Sequence, residues 1–109
     1  MNAAKQEATD IAYVSAGEEL TIYTAAQLKE DLLSQLAQSQ GLEIDLSQVE
    51  EMDSAGVQIL MMLKQEAGAK NKHLHLVNHS QPVVDIFELL DLSSHFGDPL
   101  VIPAEWQKK

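Results

Sequence analysis

The sequence predicts an α/β domain with a small mixed, largely parallel sheet of about four strands and helices packed on one of its faces. Three observations predict it. Two stretches, "LEIDLS" and "HLHLV", alternate apolar and polar residues, the pattern of a strand with one buried and one wet face. Apolar stripes at helical spacing follow the strand candidates. Such crossover helices join consecutive strands in parallel, with a right-handed turn that puts the helices on the same side. The polar positions Glu43, Asp45, His73 and His75 leave the other side uncovered, unlike a doubly wound sheet, whose strands are apolar on both faces.

Residues 1–10 are polar and without pattern and are expected to be a flexible N-terminus. Residues 11–15 read as a strand, Ala16 and Gly17 as a turn, and residues 19–23 as a second strand with Leu20 and Ile22 inward, so that the pair forms a hairpin. Thr24 and Gln27 have the spacing of a capping box at the start of a helix over about 25–39. That helix buries Ala25, Leu28, Leu32 and Leu36 and stops at Gly41. The strand at 42–46 turns Leu42, Ile44 and Leu46 inward. A helix over 54–67 follows, ended by Gly68, and its Val57, Ile59, Leu60, Met61, Met62 and Leu63 make it apolar nearly all round and hence central. In "HLHLV" Leu74 and Leu76 point inward. Ser80 caps a last helix with Pro82 in its first turn and Val83, Ile86, Phe87 and Leu90 as its buried stripe. A helical turn near 92–96 and an extended segment at 100–102 complete a single domain over 11–103, and residues 104–109, with Trp106, form a tail.

At 109 residues the chain suits one core and no more. The longest uninterrupted apolar run, residues 59–63, is far short of the roughly 20 residues that cross a bilayer, and no apolar stretch follows a basic one at the start. No direct membrane insertion and no secretory signal are expected. The absence of cysteine removes disulfides and thiolate metal sites and fits a cytoplasmic location. A net charge of −10 from 17 acidic and 7 basic residues opposes nucleic-acid binding and acidic partners, but not a partner with basic groups. Lys70 and Lys72 read as a solvated turn, Lys108 and Lys109 as a solvated tail.

The stretch "MDSAGVQILMM", residues 52–62, sets an acid, a hydroxyl and a glycine ahead of an apolar helix. Asp53 and Ser54 therefore stand where amides lack intrahelical partners and the dipole favours negative charge. On these residues alone Ser54 is a helix cap. The wider frame says more. "LEIDLSQVEEMDSAGVQIL", with "EELTIYTAAQLKEDLL" before it and "HLHLVNHSQPVVDIFELLDLSSHF" after it, resembles the STAS domains, the anti-sigma factor antagonist family, over residues 18–96.

The resemblance implies the one-sided α/β fold read above and a non-enzymatic, cofactor-free bacterial signal-transduction module. It implies a regulatory partner, often a serine kinase that is also an anti-sigma factor, which phosphorylates the hydroxyl after the motif aspartate. Here these are Asp53, Ser54 as phosphoacceptor, and Gly56. The implied partner surface is Glu50, Glu51, Met52, Asp53, Ala55, Gly56 and Val57, with Thr21 and Tyr23 from "EELTIY". Two departures stand out: Ala55 replaces a second hydroxyl, and Thr21 stands where "GELD" in the family has its aspartate. The second leaves open an unmodified accessory subunit of a chemotaxis or other signalling assembly, or of a lipid or anion transporter. A phosphate would bring about −1.5 to −2 charges beside Asp53, Glu50 and Glu51. The helix dipole, worth typically about 0.3–1 kcal/mol, offsets only part of that. Docking is therefore expected with Ser54 unmodified and weakened by phosphate.

Two other chemistries compete. "MDSAG" followed by Asp85 and His95 has the order of a hydrolase triad, but Met52 replaces the first glycine of the nucleophile elbow and no oxyanion segment follows. His73, His75 and His79, with Glu43 or Asp45, suggest a metal site but lack a defined ligand spacing, so a wet sheet face is the expectation. Met61 and Met62 read as core filler, and no nucleotide-binding fingerprint is present.

Overall fold

The computed structural model describes residues 10–91. Strands β1 (Ile11–Ser15), β3 (Gly41–Asp45) and β5 (His73–Val77) form one parallel sheet in the order β1-β3-β5. The register sets Ala12, Leu42 and Leu74 in one row and Val14, Ile44 and Leu76 in another. These rows face the core. The row between them, Tyr13, Glu43 and His75, lies on the other side, where Tyr13, His73 and His75 are exposed. The period-2 pattern thus placed the two faces as expected.

Three helices cover the inner face: α1 (Ala25–Ala37), α2 (Ser54–Ala69) and α3 (Gln81–Leu90). Leu32 and Leu36 of α1, Val57, Leu60 and Leu63 of α2, and Val83 and Phe87 of α3 join the strand residues in one core. Burying each large side chain of this kind contributes about 1.5–3 kcal/mol. Leu20, Leu46 and Val49, outside this sheet and these helices, are equally buried and close the core at the end where the site lies.

Several expectations need correction. β1 does not form a hairpin with the next strand. That strand, β2 (Glu19–Leu20), is two residues long and pairs in parallel with β4 (Glu51–Met52), Glu19 opposite Glu51 and Leu20 opposite Met52. Among the described residues every strand pair is parallel. Ile22 lies beyond β2, in the turn, and is exposed.

Gly41 and Gly68 end no helix. Gly41 opens β3, where a Cβ would come 2.6 Å from the His73 carbonyl oxygen and 2.8 Å from the His73 Cβ, so glycine permits the close approach of β3 to β5. Gly68 lies inside α2, whose last residue is Ala69. The capping box is absent as well. Thr24 makes no side-chain cap bond, and Gln27 Nε2 donates instead to Asp31 Oδ1 at 3.1 Å. Lys72 is not merely solvated: its Nζ donates to the carbonyls of Leu36 (2.8 Å) and Ala37 (3.3 Å), a cation at the C-terminal end of α1. In α3, Val84 is buried and Leu90 is not. The expected turn at 92–96, the segment at 100–102 and both termini lie outside the described residues.

Candidate functional site

The corner where β2, β4 and the start of α2 meet carries the "DSAG" residues. Backbone bonds bring its strands together: Glu50 N donates to Glu18 O at 2.7 Å, Glu51 N to the same oxygen at 3.3 Å, and Asp53 N to Leu20 O at 3.2 Å. The next step needs Gly56. A Cβ at this buried position would overlap the Leu20 carbonyl oxygen and lie 2.9 Å from the Leu20 Cβ, so only glycine lets the first turn of α2 rest on β2.

Asp53 is the N-cap of α2. Its Oδ1 accepts from the amides of Ala55 (2.9 Å) and Gly56 (3.3 Å), two of the donors that a helix start leaves orphaned. Its Oδ2 accepts from the amide of Ile22 at 3.0 Å, across the corner. The Ile22 amide, and then those of Gly56 and Ala55, hold the carboxyl below its ordinary value of 3.8 against partial burial, which pushes it up. Asp53 is therefore a carboxylate at neutral pH.

Because the aspartate caps the helix, the serine after it need not. Ser54 is exposed, and among the described residues its hydroxyl has no hydrogen-bond partner. The oxygen stands at the positive end of a sixteen-residue helix, open to another molecule.

The facing segment is wired from within. Thr24 Oγ1 donates to Glu19 O at 2.8 Å and accepts from Thr21 N at 3.1 Å, while Thr21 O accepts from the amides of Thr24 and Ala25. Thr21 Oγ1 donates to a Glu19 carboxylate oxygen and accepts from Tyr23 N at 3.2 Å. This tight turn pushes the next two side chains outward: Ile22 is 69% and Tyr23 89% exposed.

The expected partner surface is thus divided. Glu50, Glu51, Ser54 and Tyr23 are exposed, and Met52, Asp53 and Ala55 are half-buried. Thr21, Gly56 and Val57 are buried and offer a partner little surface; Thr21, at 7% exposure, organises the turn instead. Ile22 was missed because alternation with Leu20 assigned it inward. The Thr21 and Thr24 pair, three residues apart with side chains suited to local backbone bonds, was the available sign that the strand ends first. Glu18 and Glu19 also belong to the corner, since β2 sets them beside Glu50 and Glu51. Next to Tyr23 lies a groove of about 510 Å³ whose wall includes Glu18, Glu19 and Asp31.

The competing chemistries find little here. Asp85 lies on α3 with its carboxylate accepting from Gln81 Nε2 at 2.7 Å, and His95 is outside the described residues. His73 and His75 stack with ring centroids 6.2 Å apart on the open sheet face, whereas His79 is buried edge-on against Phe87, so the three imidazoles do not share a site. Among the described residues no three His, Asp or Glu side chains come together as a metal-holding group, and no helix is long and apolar enough to cross a membrane.

Comparison with known proteins places the chain in a family. No curated protein matches the sequence. Among solved structures, one described as the anti-sigma factor antagonist SpoIIAA in its unphosphorylated form superposes with a TM-score of 0.66 at 18% identity, covering 88% of this chain and 84% of that one. The shared fold is the parallel sheet with helices on one face. A family model described as "Mlab, STAS domain" matches residues 3–102, and the chain belongs to the STAS domain family.

Proposed function

We propose that the chain is an anti-sigma factor antagonist-like interaction module whose partner docks on the corner around Ser54 and is switched by phosphorylation of that residue. One observation carries the reading: the Ser54 hydroxyl is exposed at the start of α2 while Asp53 performs the capping. A serine relieved of its structural task, beside two exposed apolar side chains, is suited to be met by a protein.

The chemistry of the surface describes the partner. Ile22 and Tyr23 form an apolar prong, and Glu18, Glu19, Glu50 and Glu51 form an acidic rim near it. No lysine or arginine occurs in residues 18–24 or 47–57. A regulatory protein with an apolar recess edged by basic groups fits both features. If that protein is a serine kinase, it transfers the γ-phosphoryl group of a bound nucleoside triphosphate to Ser54 Oγ. The hydroxyl proton passes to a base of the kinase and the nucleoside diphosphate leaves.

Docking occurs with Ser54 unmodified, and the phosphate weakens it, because a dianion is costly to desolvate against an apolar recess. The test is affinity purification of the native protein, intact-mass measurement for an added phosphate, and comparison of the recovered partner's affinity for Ser54→Ala and Ser54→Asp. The expected result is near-native affinity for alanine and a loss for aspartate; equal affinities remove the switch.

A second reading has its own support. Where the resemblance puts an aspartate, this chain has Thr21, turned inward and bonded to Glu19, so the surface lacks that carboxylate. This favours an unmodified accessory subunit of a signalling assembly or of a lipid or anion transporter, contacted at the same corner. A native mass without phosphate in a purified complex would select it.

A further inference from the structure

The prong and the helix start belong to segments about thirty residues apart in sequence, and one carboxylate holds both. Asp53 Oδ1 binds the Ala55 and Gly56 amides of α2, and Oδ2 binds the Ile22 amide. The other hydrogen bonds of the turn involve Thr21, Tyr23, Thr24 and Ala25 and leave the Ile22 amide to Asp53 alone among the described residues.

We propose that Asp53 is a positioning residue that couples the state of Ser54 to the presentation of Ile22 and Tyr23. With Ser54 unmodified, the carboxylate pins the Ile22 backbone and sets the prong. With phosphate on Ser54, the carboxylate is displaced and the prong is released. This rests on the reading of Ser54 as a phosphoacceptor and supplies the way in which the phosphate acts.

The argument is one of competition for donors. A phosphate adds about −1.5 to −2 charges and three acceptor oxygens within one residue of Asp53. No cation of the two corner segments can receive it, and the ion pair Lys70–Glu66 sits at the opposite end of α2. The donors within reach are the first amides of α2, which Oδ1 of Asp53 already occupies. Phosphate at a helix N-terminus takes such amides readily, and the carboxylate beside it is repelled. Since one rigid carboxylate makes all three bonds, losing the cap bonds carries Oδ2 away from Ile22. Such a relay also resolves a conflict: a partner with basic groups would by itself be attracted to a phosphate, whereas a partner that reads a fixed apolar prong loses its target.

The test uses the full chain, isotopically labelled, in three forms: unmodified, with phosphoserine installed at position 54, and as Asp53→Asn. In D53N the side-chain oxygen can still cap the helix while its amide nitrogen cannot accept from Ile22. The readouts are the scalar coupling across the Ile22 amide to side-chain carboxyl hydrogen bond and the exchange rates of the Ile22, Ala55 and Gly56 amides. The unmodified chain should show the coupling. The phosphoserine form should lose it, with Ile22 exchanging at least roughly tenfold faster. D53N should speed Ile22 by a similar factor and leave Ala55 and Gly56 protected. An Ile22 coupling and exchange rate unchanged by phosphoserine overturns the relay. Binding separates the two readings. If phosphoserine abolishes partner binding while the Ile22 bond persists, the relay fails and the Ser54 switch stands; if the bond breaks and the partner binds as before, the coupling stands and the switch fails.

Discussion

The second helix begins at Ser54 behind Asp53, and the third begins at Gln81 behind Ser80. Both starts hold a serine where helix preferences allow one, yet their surroundings differ. At α2 an aspartate turns its oxygens onto the free amides, leaving Ser54 exposed. At α3 the Ser80 hydroxyl is buried, makes no cap bond, and has no partner among the described residues. Val84 N reaches the Ser80 carbonyl at 2.9 Å, and Val83, Val84 and Phe87 pack into the core beside it. A serine at a helix start is therefore open to function only when a neighbour has taken over the cap and packing has not closed above it.

The largest way to break this contrast is through the glycine that seats α2. Gly56→Ala sets a Cβ against the Leu20 backbone, which has no flexible end to move, so α2 must shift from β2. The expected loss is about 1–3 kcal/mol, typical of overpacking, read as a lower denaturant midpoint. Gly68→Ala is the control. Nothing lies within 4 Å of its Cβ position, it sits inside the helix, and it should gain about 0.5–1 kcal/mol. A gain at Gly56 equal to that at Gly68 would show that glycine in α2 answers to helix propensity and not to the seat on Leu20.

The difference between these glycines also shows what sequence can disclose. Alternation of Leu42, Ile44 and Leu46 with Glu43 and Asp45, and of Leu74 and Leu76 with His73 and His75, reported burial directly, because a strand with one covered face must have that period. The one-sided layering followed from it. Glycine has several meanings, and local pattern could not choose among them: Gly41 and Gly68 read as helix stops, but one lets strands approach and the other is a helix-interior residue. The hairpin failed for a similar reason. Gly17 does turn the chain, with φ at 82°, but the partner of β1 is β3, thirty residues on, and no local signal specifies a partner at that distance. At the corner, the order of Asp53, Ser54 and Gly56 marked the start of a helix but gave the cap to Ser54, whereas Asp53 is the N-cap. The hold of Asp53 on Ile22 was not legible, since it depends on how β2 and β4 meet.

Acid sharpens the contrast next. The folded-state value of Asp53 lies below its ordinary 3.8, so the stability it contributes is complete above 3.8 and is lost as pH falls from there through the folded-state value. Asp53→Asn should therefore lower the thermal midpoint at neutral pH, and the gap from the native chain should close in more acidic buffer. A gap independent of pH would mean that the charge of Asp53 is not what holds the corner. The buried serine gives a smaller effect of opposite sign. Ser80→Ala removes a desolvated hydroxyl that bonds nothing among the described residues, so stability should be unchanged or rise by up to about 1 kcal/mol. An ordinary N-cap serine loses about 1 kcal/mol on the same change, and a loss of that size would make Ser80 a working cap.

The smallest expected effect on folding belongs to Ser54, and its smallness is what matters. An exposed side chain without a partner, behind a cap that does not depend on it, should change stability by no more than about 0.5 kcal/mol when replaced by alanine. Ser54→Asp places a negative charge at the favourable end of α2 but beside another carboxylate, so the two influences oppose and the midpoint should again move little. A residue that can be exchanged so freely is not retained by the fold. If partner affinity then falls for aspartate and holds for alanine while both thermal midpoints stay near the native one, the loss belongs to the surface around Ile22 and Tyr23 and not to unfolding of the helix that carries Ser54. If instead either variant lowers the midpoint by several degrees, Ser54 is supporting α2 as an ordinary helix-start residue would, and the division of labour between it and Asp53 does not hold.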